Sequence, residues 1–122
     1  MLHLPQFGAF VALLVTHWVA DFICQTHWQA SNKSKNNVAL GRHVGTYTAI
    51  LALSSVVLFG VTAAVGAFVI VNGVLHFGTD YFTSRATSKL YAKQDWHNFF
   101  VVVGFDQLIH QTTLAATMLL IL

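Results

Sequence analysis

From Val44 to Gly78 the chain carries no Asp, Glu, Lys or Arg, and His76 is the one imidazole in the run. Drawn as a single helix, that stretch would be about 52 Å long at about 1.5 Å per residue, against a bilayer core about 30 Å thick. It has to double back, and the glycine-bearing stretch Gly60–Gly66 is where the turn is expected. Two spans follow, at approximately 43–60 and 63–82. Residues 7–24 and 98–122 are apolar over comparable lengths. The expected fold is all-α: an integral membrane four-helix bundle with short loops, forming one transmembrane domain over residues 1–122.

Composition excludes the main alternatives. The chain is 56% hydrophobic and 8% charged, where soluble domains average about 45–50% and about 25%. So few charges cannot cover a water-soluble surface, which removes a soluble enzyme. The apolar content removes a disordered chain. A net charge of +2 supplies too few phosphate contacts for a nucleic-acid partner. Cys24 is the lone cysteine, so no internal disulfide is available, and it reads as a small buried hydrophobe. The first span lacks a basic leader and a small-residue cleavage site after Leu14, so it is expected to be retained as a membrane helix.

All six basic residues fall in two polar stretches: Lys33, Lys35 and Arg42 in the first, then Arg85, Lys89 and Lys93 in the second. The positive-inside rule makes those loops cytoplasmic and puts both termini on the outer side. The stretch 25–42 reads as a loop, and 83–97 has room for a short surface helix. Trp28 and Trp96 suit an interfacial aromatic belt. His3, His27 and His97 are read as headgroup-level residues. Gly8, Gly45, Gly66, Gly73, Gly78 and Gly104 are read as permitting close helix packing.

Ionisable groups inside a span are costly and mark function by default. Here they repeat. His17 and Asp21, His76 and Asp80, and Asp106 and His110 are His/Asp pairs four residues apart, each on one helix face. His43 and Tyr47 open the second span. The order within a pair inverts in the last span, as alternating helix direction requires if all pairs share one depth. Four His (His17, His43, His76, His110) and three Asp (Asp21, Asp80, Asp106) offer nitrogen and oxygen ligands without thiolate. That set suits one or two divalent ions such as zinc, iron or manganese, built into the core of a bundle. A metal-free proton relay and haem are the alternatives; the carboxylates count against haem.

The run His17-Trp18-Val19-Ala20-Asp21-Phe22-Ile23-Cys24-Gln25-Thr26 carries a resemblance. So do Trp28 with Lys33, His43 with Tyr47, His76 with Asp80, and Phe105-Asp106-Gln107 with His110. Together they resemble the small polytopic membrane proteins of bacteria and phages grouped as a domain of unknown function, DUF3307. That resemblance covers nearly the whole chain and implies a multi-pass protein of the bacterial inner (cytoplasmic) membrane. A looser similarity is to inner-membrane metal-dependent hydrolases, although their His-Ser or Glu-bearing motif is absent.

Three functions compete. The first is a metal-dependent hydrolase of a lipid or lipid-linked substrate, with Asp21, Asp80 or Asp106 as catalytic base and Lys33, Arg42, Arg85 and Gln107 contacting substrate. The second is a metal-ion or proton transporter or channel using the same cluster. The third is a non-catalytic partner protein stapled by the metal. Membrane lipid is the expected partner. Four short helices give a buried site little cover, so a homo-oligomer is a candidate.

Overall fold

The structure, a computed structural model, describes residues 4–122, so His3 lies outside the described residues. Helix α1 (Leu4–Trp18) continues directly into a π-helical turn, Val19–Ile23. Then come α2 (His27–Asn32), α3 (Asn37–Phe59), α4 (Ala63–Ala92) and α5 (Trp96–Ile121). Among the described residues there is no strand.

Each start after α1 has a local cause. A Thr-x-x-Gln capping box opens α2: Gln29 N–H donates to Thr26 Oγ1 and Thr26 N–H donates to Gln29 Oε1, satisfying two otherwise orphaned donors. Asn36 caps α3 through Val38 N–H, and Thr62 caps α4 through Val65 N–H. Asp95 caps α5. The Asn98 amide donates to its carboxylate, as does the Asn98 backbone N–H, and these two bonds hold the Asp95 carboxyl below the usual range. The hairpin between α3 and α4 occupies residues 60–62, at the leading edge of the expected Gly60–Gly66 turn. Gly60 takes φ +84° and ψ −178° there, a conformation essentially confined to glycine that costs an L side chain about 1–3 kcal/mol.

Several boundaries differ from the sequence expectation. The stretch 25–42 is not a plain loop: it holds α2 and the first turns of α3. No separate surface helix follows residue 82, because α4 runs on to Ala92. At about 1.5 Å per residue its 30 residues reach about 45 Å, more than a bilayer core. The polar residues after Phe82 do not end the helix. Three helical stretches are long and apolar enough to cross a membrane: Pro5–Ile23, Asn37–Phe59 and Ala63–Ala92. These make the chain a membrane protein by length and composition. The fourth expected span is α5, which matches them in length but carries Asn98, Asp106, Gln107, His110 and Gln111 and does not join the three.

The core explains where the polar residues sit. Leu13, Leu51, Phe68 and Leu114 are fully buried, one each from α1, α3, α4 and α5. With Val65, Val69 and Met118 they form an apolar block toward the α3–α4 hairpin. On α4 the buried stripe continues from Phe68 through Asn72, His76 and Asp80 to Ser84, changing from apolar to polar one turn at a time. The outward surface is the reverse of a soluble protein's: Val57 is 78% exposed, Val61 86% and Leu120 84%. Of the six glycines expected at helix contacts, one makes a close approach. A Cβ on Gly73 would stand 2.7 Å from Thr48 Oγ1, whereas Gly8, Gly45, Gly66, Gly78 and Gly104 face open space.

Candidate metal centre

The three His/Asp pairs and His43 converge on one point. His17, Asp21, His43, His76, Asp80 and His110 are all buried, and Asp106 is partly buried. A single chain is enough to bury them. The π-helical turn delivers Asp21. Its wider winding is seen in the Cys24 N–H bond to Val19 carbonyl, five residues back, at 2.9 Å. Such single π turns are frequent at functional sites. Here Asp21 is turned inward while Phe22 and Ile23 stay exposed.

Four atoms form the centre. His43 Nε2 lies 3.0 Å from Asp21 Oδ1 and 3.3 Å from Asp80 Oδ2. His76 Nε2 lies 3.2 Å from His43 Nε2, 3.4 Å from Asp21 Oδ1 and 3.5 Å from Asp80 Oδ2. These are five of the six edges of a tetrahedron, and the four residues each offer a ligand atom within 4.8 Å of the others. A regular tetrahedron with metal–ligand distances of about 2.0 Å has edges of about 3.3 Å, and about 2.0–2.2 Å is the range for zinc bound by imidazole and carboxylate. Buried His/Asp groups therefore can hold a metal ion. The donor chemistry agrees: two nitrogens and two anionic oxygens suit a divalent cation, which would neutralise two carboxylates that are costly to desolvate.

A second group lies against the first. Asp21, Asp106 and His110 also offer ligand atoms within 4.8 Å of one another. His110 Nε2 is 3.0 Å from Asp80 Oδ1 and 3.3 Å from Asp106 Oδ2. Its ring stacks on His76 with centroids 4.0 Å apart, and Tyr47 stacks on the other neighbour side of His76 at 3.9 Å. Stacking and the contacts at Nε2 aim the His76 ring, because the Nδ1 atoms of His43 and His76 are buried without a hydrogen-bond partner.

His17 belongs to neither group, although its Nε2 lies 3.6 Å from Asp21 Oδ2. Its Nε2 bonds Gln107 Oε1 at 2.8 Å and its Nδ1 bonds Tyr47 OH at 3.0 Å. An amide oxygen only accepts, so Nε2 carries the proton and Nδ1 accepts from the tyrosine hydroxyl. Both nitrogens, expected as ligand atoms, are thereby engaged by neighbouring side chains. Gln107, expected to contact substrate, bridges two carboxylates. Its Nε2 donates to Asp21 Oδ2 and to Asp106 Oδ2, both at 3.0 Å. Thr83, which the sequence reading passed over, donates to Asp106 Oδ1.

The basic residues divide. Lys33, at the end of α2, reaches Asp80 Oδ2 at 2.9 Å. The short capped helix is what places it there. Arg42 lies over the Trp28 ring at 5.4 Å. Arg85 lies over Tyr81 at 3.6 Å and donates to Asn37 Oδ1 and the Tyr81 carbonyl. Neither arginine reaches the cluster. His27 and His97 are exposed. Nothing in the sequence pattern announced the Lys33–Asp80 pair, which joins residues 47 positions apart.

The family described as protein of unknown function (DUF3307) matches residues 9–122, and the chain belongs to it. No curated protein and no solved structure matches the chain. The similarity to inner-membrane metal-dependent hydrolases expected from the sequence finds no support in these comparisons.

Proposed function

We propose that this member of the DUF3307 family is a four-span metalloprotein of the bacterial inner membrane, with the Lys/Arg-bearing loops cytoplasmic and both termini outside. We infer that it hydrolyses a lipid or lipid-linked substrate at the His43, His76, Asp21 and Asp80 centre. The observation that carries this reading is the spacing of those four ligand atoms, five of whose six separations fall between 3.0 and 3.5 Å. Of zinc, iron and manganese, that geometry favours zinc. A bound divalent ion supplies Lewis acidity and lowers the pKa of a water.

The chain's own residues supply the rest. Asp21 and Asp80 are engaged at the centre, which leaves Asp106 as the general base among the three carboxylates. It is held by Thr83 and Gln107 and stands beside His110, so a proton taken there can pass to the imidazole. His17 and Tyr47 hold Gln107 and the His76 ring in place. The apolar block of Leu13, Leu51, Phe68 and Leu114 closes the site on the hairpin side. This supports a reaction site with one mouth over a conducting path.

The test is turnover on a panel of lipid esters and phosphoesters. Chelator-stripped protein should be inactive and zinc should restore it. Asp106→Asn should keep its metal yet lower kcat by about 10²–10⁴-fold, the usual size of general-base catalysis. Full turnover by stripped protein, or by Asp106→Asn, would contradict the proposal.

A further inference from the structure

Beside the centre, toward the loops, a cavity of about 550 Å³ opens between the π-helical turn, α2 and the facing sides of α4 and α5. Small-molecule sites run to about 300–1,000 Å³. Asp21, Asp106 and Gln107 belong to its wall, so it adjoins the cluster; Lys33 and Lys35 line it as well. Ser31, Ser34, Thr87 and Ser88 add hydroxyl groups, and Phe22, Phe99 and Val103 give it an apolar side.

Two further wall residues are short of partners. Ser84 is 6% exposed and its Oγ is buried with no hydrogen-bond partner; Gln25 Oε1 is likewise buried and unpartnered. A buried polar atom left unpaired costs about 1–3 kcal/mol, which a ligand in the cavity would relieve once these two wall side chains turn toward it. Ser84 can donate to an anionic oxygen. Gln25 Oε1 needs a donor, and a hydroxyl on the ligand provides one.

Charge bears on the same cavity. Lys33 Nζ rests on Asp80 Oδ2, one of the four atoms of the tetrahedron. A divalent ion bound by Asp21 and Asp80 balances both carboxylates by itself. The Lys33 charge is then surplus, at the cavity wall, with Lys35 nearby in the same lining.

We propose that this cavity binds a phosphate ester on a hydroxyl-bearing headgroup, held by Ser84, Lys35 and the Lys33 that the metal displaces from Asp80. This rests on reading the cluster as a metal centre. The phosphate takes Ser84 and the two ammonium groups. A headgroup hydroxyl satisfies Gln25, and an attached chain lies along Phe22 and Phe99.

The experiment measures dissociation constants by titration calorimetry on detergent-purified protein, stripped and zinc-loaded, with zinc content assayed in the same samples. The probes are dihexanoyl phosphatidylglycerol, glycerol phosphate and the phosphate-free dihexanoylglycerol. Zinc-loaded protein should bind the phospholipid and stripped protein should bind it far more weakly. Ser84→Ala and Lys35→Gln should each weaken binding by about tenfold, the size of one hydrogen bond to a charged group, at unchanged zinc content. Glycerol phosphate binding as tightly as the lipid would support the same phosphate chemistry with a soluble source. Binding of dihexanoylglycerol equal to the phospholipid would overturn the inference. So would zinc-loaded protein that ignores both phosphate esters, and that result would leave the metal reading standing. Protein that takes up no zinc, and no iron or manganese in its place, overturns the metal reading and the Lys33 displacement together.

Discussion

His17 and His76 occupy the same place in sequence, each four residues before an Asp on a membrane helix. The structure gives them different work. His76 Nε2 sits among His43, Asp21 and Asp80, while both nitrogens of His17 are spent on Gln107 and Tyr47. The pairs were legible because a four-residue spacing fixes a shared helix face. The division of labour was not, because it depends on which neighbour a distant helix brings up: Tyr47 from α3 and Gln107 from α5. His76→Ala is expected to abolish tight zinc binding. His17→Gln should lower affinity by about 10–100-fold, as loss of a group that orients a ligand does. Competition against a chelator of known affinity separates the two. Lys33→Gln is a second check at this scale. Stripped protein should lose several degrees of thermal stability, because the substitution leaves the buried Asp80 without its ammonium partner. Zinc-loaded protein should lose much less.

Helix α4 shows why element boundaries are hard to read in a membrane chain. The polar residues after Phe82 look like the end of a span. The backbone goes on hydrogen-bonding to Ala92, because leaving lipid removes the apolar requirement without removing helix propensity. Helix α2 escaped for a different reason: its signal is the two-residue code Thr26 and Gln29 inside a stretch whose Ser, Asn and Lys content suggests a loop. Thr26→Ala should cost about 1 kcal/mol of that helix and loosen Lys33, seen as faster amide exchange across 27–33. The glycines give a paired prediction on α4. Gly73→Ala should destabilise by about 1–3 kcal/mol, because its Cβ would press on Thr48. Gly78→Ala, facing open space, should be neutral or stabilising by up to about 1 kcal/mol. Unfolding of the two variants in mixed micelles reads the difference.

For the whole molecule, the all-helical class, the doubling back near Gly60 and the gathering of His and Asp were all legible. Each follows from a constraint that acts over the entire chain: the thickness of a bilayer, the cost of burying charge, and the alternation of helix direction. The inverted order of Asp106 and His110 needed nothing but that alternation. The cavity beside the cluster was not legible, since α2, α4 and α5 meet there from positions far apart in the chain. The proposed orientation is open to a direct check in a Cys24→Ser background. Val61→Cys, at the hairpin, should react with a membrane-impermeant maleimide from outside intact cells. Lys35→Cys should react only after permeabilisation.

The most direct test of the central claim is elemental analysis of detergent-purified protein, wild type beside the His76→Ala/Asp80→Ala double variant, under matched chelator-free conditions. The account predicts about one zinc, iron or manganese ion per chain in wild type and its loss in the variant. Wild type without metal, or equal metal in both proteins, would contradict it.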